Sequence, residues 1–271
     1  MSKSLSYNRH GFTLILLSIC LMVIVFLGIT LSTVLNSNYV KKVVSSEANV
    51  TLIKNYTNQR LGRLVNSYSI SANLSSVNLT NKDVKKIINT SVDEVYSDDS
   101  QLTIGSAILA TISTKLKAEA QSYGLNIDNE IDTVIKSNED MMNQIVDNDL
   151  GPIESVIVRI QTIKKLIKTV MVAAAGIFLL LAIRLRSKVS SNMLFFHHLG
   201  TVGICTSILL AIVLGCIYYP LQDIIVSNID YNVRDVLYNV LNGIFLSYIT
   251  IIFMVFILSL IDWGSTMKYK Y

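Results

Sequence analysis

Proline, cysteine, histidine and tryptophan are nearly absent from this 271-residue chain, which holds two, three, three and one of them. Two prolines argue against a disordered or collagen-like polypeptide. The three cysteines, Cys20, Cys205 and Cys216, all sit in apolar runs, which excludes a disulfide-stapled secreted domain. Charge is scarce as well: 15% of residues are Asp, Glu, Lys or Arg, against about 25% in an ordinary soluble domain. A net charge of +4 is too mild for a nucleic-acid footprint, so nucleic acid is not an expected partner. Catalytic signatures are missing too. H-E-x-x-H, C-x-x-C, G-x-S-x-G and G-x-x-x-x-G-K-[ST] do not occur. His197 and His198 are adjacent, and neighbouring positions on a helix do not share a face for chelation. No catalytic residue, metal ligand or cofactor is expected, and an enzyme is the least favoured class.

What the chain has instead is long uncharged stretches. No Asp, Glu, Lys or Arg occurs between Arg9 and Lys41, between Lys188 and Asp223, or between Asp235 and Asp262. A fourth and shorter run, Thr169 to Ile183, lies between Lys168 and Arg184. A hydrocarbon core of about 30 Å needs about 20 helical residues, and basic side chains can snorkel to the interface where a run falls short. The expectation is an all-α integral membrane protein with transmembrane helices at 11–35, 167–184, 199–219 and 243–263. Membrane lipid is its first partner. Residues 1–10, 185–198 and 264–271 carry the basic flanks, including Lys3, Arg9, Arg184, Arg186, Lys188, Lys268 and Lys270. The positive-inside rule then places both termini in the cytoplasm, and 36–166 and 220–242 outside a cell membrane. The first apolar run is longer than a signal-peptide core, so an uncleaved anchor is expected.

The segment 36–166 reads as helix throughout. Apolar residues recur at helical spacing, as in Val84, Ile87, Ile88, Val92 and Val95, and again in Ile104, Ile108, Leu109, Ile112 and Leu116. Thr80 with Asp83 forms a capping-box pattern, Asp98-Asp99-Ser100 can cap the next helix, and that helix should end near Gly124. Asp128 can open a further helix, and Gly151-Pro152 another. Ile153, Val156, Ile160, Ile163, Ile167 and Val170 form a seam running straight into the second span. No proline or glycine separates the first span from the helix after it, so a helical-bundle ectodomain on two stalks is expected. Pro220 should begin an amphipathic helix over the rest of 220–242. Five N-x-[ST] sequons, at Asn49, Asn55, Asn73, Asn78 and Asn89, little exceed chance in so Asn-rich a segment. A cysteine-free exterior fits a bacterial surface better than a eukaryotic secreted one.

The spans carry no charge in their middle, which argues against a self-sufficient proton-coupled carrier. They do carry small residues at four-residue spacing: Ser207, Ala211 and Gly215 on the third, Gly243 and Ser247 on the fourth. Such faces let helices approach closely. Packing of the chain's own spans is the default reading, and a second copy forming a homodimer is the other.

Between spans two and three, Arg184-Leu185-Arg186-Ser187-Lys188 leads through Met193-Leu194-Phe195-Phe196-His197-His198 to Leu199-Gly200. This turn, with the plan of span, large ectodomain and three closely spaced spans, resembles the permease subunits of MacB/FtsX-type ABC systems. Ser191, Asn192 and His197 stand where that family favours an acidic residue and arginines. The resemblance implies a separate ABC ATPase docking on Arg184, Arg186, Lys188, His197 and Gly200, and mechanical transmission to the ectodomain. The alternative is a non-enzymatic membrane sensor, adhesion or accessory protein whose ectodomain binds a ligand or another membrane partner.

Overall fold

In the computed structural model the described residues are 4–67, 78–97, 104–122, 124, 126, 128–137, 139–140, 159–228 and 231–269. Among them the regular structure is helical, with no strand. The helices are α1 (Ser4–Ser32), α2 (Ser37–Val44), α3 (Glu47–Ser67), α4 (Asn81–Val95) and α5 (Ile104–Ser122). They continue with α6 (Asp128–Ser137), α7 (Ile160–Lys188), α8 (Asn192–Asn228) and α9 (Tyr231–Thr266), and a 3-10 turn closes the described chain. Four of them, α1, α7, α8 and α9, are long and apolar enough to cross a membrane. The expected breaks at Gly151-Pro152 and Asp98-Asp99-Ser100, and the seam residues Ile153 and Val156, lie outside the described residues.

The chain divides into two compact units. One comprises Met1–Asn36, Lys164–Ser227 and Leu241–Tyr271, and the other Ser37–Ile163 and Asn228–Val240. The second unit, hereafter the head, is built on amphipathic helices. Val84, Ile87 and Ile88 of α4 share one face. They bury against Val50 of α3, Leu109 and Ile112 of α5, and Leu79 of the preceding connection. The capping box is present: the Asp83 backbone N–H donates to Thr80 Oγ1 (3.3 Å), and the Thr80 N–H donates to Asp83 Oδ2 (2.7 Å). Helix α5 ends at Ser122, and Gly124 then takes φ +73°, a left-handed conformation that suits glycine. Asp128 opens α6, as its place before Ile131 and Ile135 predicts.

The first unit, hereafter the base, holds the four long helices. Ile29 of α1, Leu210 and Leu214 of α8, and Tyr248 and Ile252 of α9 form one cluster. Leu17 of α1, Leu185 of α7, Val189, and Val202 of α8 form another. Two hydroxyls tie α1 to its neighbours: Thr206 Oγ1 donates to the Ser18 carbonyl (3.0 Å), and Thr30 shares a 2.6 Å hydrogen bond with the Tyr248 hydroxyl. Of α7 only Leu185 is buried. Large apolar side chains elsewhere on the base are exposed, Val172 and Leu180 each at 69%, as a lipid-facing surface requires.

Three sequence expectations are corrected. The first span does not run on into the head, because α1 stops at Ser32 and the turn 33–35 with Asn36 separates it from α2. The chain needed no proline or glycine to stop there: after the Thr33 N–H bond to the Ile29 carbonyl (2.9 Å), the backbone widens and then tightens, the Leu35 N–H donating to the Thr30 carbonyl (3.0 Å) and the Asn36 N–H to the Thr33 carbonyl (3.1 Å). Pro220 begins nothing either. It lies inside α8, which continues to Asn228; a proline forfeits one backbone bond, and a long apolar helix tolerates that loss. The rest of 220–242 forms no separate helix, because residues from Tyr231 onward are the opening turns of α9. Helices therefore run uninterrupted through three of the divisions: α7 at Ile163/Lys164, α9 at Val240/Leu241, and α8 at Ser227/Asn228 by its last residue only.

Candidate functional site

Helix α7 ends at Lys188, residues 189–191 turn the chain, and Ser191 Oγ accepts the Met193 N–H (3.2 Å) to open α8. Arg184, Arg186 and Lys188 stand exposed at this turn. Arg184 and Lys188 are four residues apart and so share a face, while Arg186 Nη1 is engaged with the Val189 carbonyl (3.1 Å). His197 and Gly200 are not available in the same way. The His197 ring is 4% exposed and stacks on Trp263 of α9, centroids 5.6 Å apart. Its Nδ1 lies 3.3 Å from both the Trp263 carbonyl and Thr266 Oγ1. Gly200 is buried against the same helix. A Cβ on it would lie 2.8 Å from the Trp263 backbone nitrogen. The basic residues can meet a partner, and the other two serve the packing of α8 on α9.

The small residues divide as well. Ser207 is buried and donates to the Gly203 carbonyl (2.9 Å). Ala211 is exposed, and nothing lies within 4 Å of a Cβ built on Gly215. Gly243 and Ser247 are half-buried, joined by a bond from Ser247 Oγ to the Gly243 carbonyl (3.2 Å). Gly200 thus marks the close backbone approach, and one turn further on Gly203 makes room for the Ser259 side chain, a position that sequence reasoning missed. A Cβ there would lie 1.9 Å from Ser259 Oγ. Gly200, Gly203 and Ser207, at spacings of three and four, are the sequence signal of that face, which ends where the Ser207, Ala211 and Gly215 series begins.

In the head, Asn49 is the other residue that sequence reasoning passed over, having read it only as a sequon. It is fully buried. Its Nδ2 donates to the Val43 carbonyl (3.0 Å), and its Oδ1 accepts from Asn239 Nδ2 (3.0 Å). Asn58 plays a similar role, exchanging two bonds with the Leu79 backbone (2.8 and 3.1 Å). Asp83 gathers charge around the capping box. Lys115 Nζ lies 2.6 Å from Asp83 Oδ2 and also donates to the Asn78 carbonyl (2.8 Å). Burial alone would raise the Asp83 pKa, but hydrogen bonds from Lys115 and Thr80 outweigh it and hold the carboxyl below its ordinary value. Burial pushes the Tyr96 phenol up to about 12; the Gln161 amide donates to that residue's carbonyl. Among the described residues no three His, Cys, Asp or Glu side chains gather where they could hold a metal ion.

Four helices long and apolar enough to cross a membrane, with helix as the regular structure of the head's described residues, point to a multi-helix membrane protein. The chain matches no family model, no curated protein and no solved structure.

Proposed function

We propose that this protein couples a membrane base to an extracytoplasmic helical head, as the permease and mechanotransmission subunit of an ABC-type system served by a separate ATPase. The observation that carries the reading is that α7 and α9 run unbroken through divisions between base and head, whereas α8 passes one only by its last residue. A device that transmits motion needs such continuity. The exposed bases Arg184, Arg186 and Lys188 at the end of α7 give the ATPase an electrostatic foothold. His197 and Gly200 act one step behind them, by fixing α8 on α9.

The test is reconstitution. Membranes solubilised in mild detergent should yield the protein with a P-loop ATPase whose hydrolysis rate depends on it. Combined Arg184→Ala, Arg186→Ala and Lys188→Ala should dissociate the pair while leaving the protein folded. Recovery without any ATPase, together with full function of the triple variant, refutes the proposal. The competing reading, an anchored sensor or accessory head, is favoured by the interruption at 33–36, which leaves the α1 connection without helical continuity. Under it, flexible insertions after Ile163 and Val240 preserve ligand or partner binding and function, whereas the coupling reading requires those insertions to abolish function.

A further inference from the structure

Helix α7 differs from the other three long helices at its edges. Fifteen residues lie between Lys168 and Arg184, and the apolar run is closed by bases on both sides. At 1.5 Å per residue the two Cα atoms stand about 24 Å apart, short of the roughly 30 Å hydrocarbon core. In a bilayer both side chains must therefore reach outward, carrying their charges to the level of the phosphates. Lys165 and Lys168 are exposed at one end and Lys164 is half-buried beside them; Arg184 and Lys188 are exposed at the other. None of these five forms an ion pair with a carboxylate among the described residues. The helix dipole gives the lysines at the opening turns no compensation, since it favours anions there. Leu185 is the only buried residue of α7, so most of its circumference is open to lipid.

From this geometry we infer that α7 is an anionic-phospholipid-binding helix that gathers acidic headgroups at both membrane surfaces through Lys164, Lys165 and Lys168 at one end and Arg184 and Lys188 at the other. The inference goes beyond the coupling reading and rests only on α7 spanning the membrane. An ATPase would compete for Arg184 and Lys188 but has no claim on the three lysines, so the lysine end tests the lipid alone.

The experiment measures the partition of spin-labelled phosphatidylglycerol against spin-labelled phosphatidylcholine around the full-length protein in phosphatidylcholine vesicles. Each base near the surface should favour the anionic lipid by up to about fivefold at low salt, falling as salt is raised. Lys164→Gln, Lys165→Gln and Lys168→Gln together should remove the preference in the leaflet at that end, and Arg184→Gln with Lys188→Gln that in the other. Arginine at the four lysine positions should retain both preferences, which separates charge from lost folding. Inorganic phosphate should not compete, since the site is held at the membrane surface. Equal partition of the two labels around the wild-type protein overturns the inference outright. So does a preference that survives neutralising all five bases, or one that free phosphate abolishes when ionic strength is held constant.

Discussion

The head and the base meet the same demand, packing helices without voids, under opposite solvents. In the head, water outside drives Leu109, Ile112, Val84 and Ile88 together, and ion pairs such as Lys41–Asp93 and Lys117–Asp132 sit on the surface. In the base, lipid is as apolar as the side chains, so burial of leucine supplies little association energy. Close backbone approach replaces it at Gly200, while Gly203 admits the Ser259 side chain and hydroxyl groups link neighbouring helices at Thr206 and Tyr248. The lesson is that the residues fixing each unit differ in kind: large aliphatics in the head, small and hydroxyl-bearing residues in the base.

Substitutions can break that contrast in order of expected effect. Gly200→Leu should be the most damaging, because a Cβ there would already lie 2.8 Å from the Trp263 backbone nitrogen. Overpacking costs about 3 kcal/mol or more where backbones touch; the check is loss of the cooperative melt followed by Trp263 fluorescence in detergent. Leu109→Ala should cost about 3 kcal/mol by leaving a cavity in the head. Hydrogen exchange should register that loss in α4 and α5 while the Trp263 melt stays in place. Were the two variants to shift both readouts equally, the units would not be separate in energy.

Smaller effects belong to the capping box. Thr80→Ala should lower head stability by about 1 kcal/mol, measured by denaturant unfolding. Asp83 has a folded pKa below its unfolded value, so its contribution is present above the ordinary carboxylate pKa of about 3.9. It is lost as pH falls through the folded value. Stability of the head should therefore decline below about pH 4 by at most about 1 kcal/mol from this group, and Asp83→Asn should flatten that part of the profile. Last comes Lys117→Gln, which removes a surface ion pair to Asp132. It should change stability by less than about 1 kcal/mol and less still at high salt.

How much of this was legible in the sequence follows from distance along the chain. The capping box spans four residues, and the stripe on α4 spans nine; both are local and were read correctly. The four apolar runs were plain from charge alone. The helix end at Ser32 was missed because no proline or glycine marks it; the chain leaves α1 through a change of backbone bonding, Leu35 N–H to the Thr30 carbonyl and Asn36 N–H to the Thr33 carbonyl. Pro220 was over-read for the converse reason, since one lost bond is small against a long apolar helix. The exposure of Arg184, Arg186 and Lys188 was legible from their charge, but the burial of His197 was not, since its neighbour Trp263 is 66 residues away. The glycine crossing depends on Ser259 and Trp263, and nothing local to α8 announces them.

The Asn49–Asn239 hydrogen bond joins residues 190 positions apart. On a ribosome that separation is a delay. Residues 37–163 are synthesised long before Asn239 exists, so the nascent head holds a buried amide oxygen lacking its native donor until the last quarter of the chain is made. Three apolar runs must also have left the ribosome before that donor arrives. Completion of the head thereby waits on synthesis of the first three apolar runs of the base, and a chain that stalled or was clipped before residue 239 would leave the Asn49 amide oxygen without its native donor.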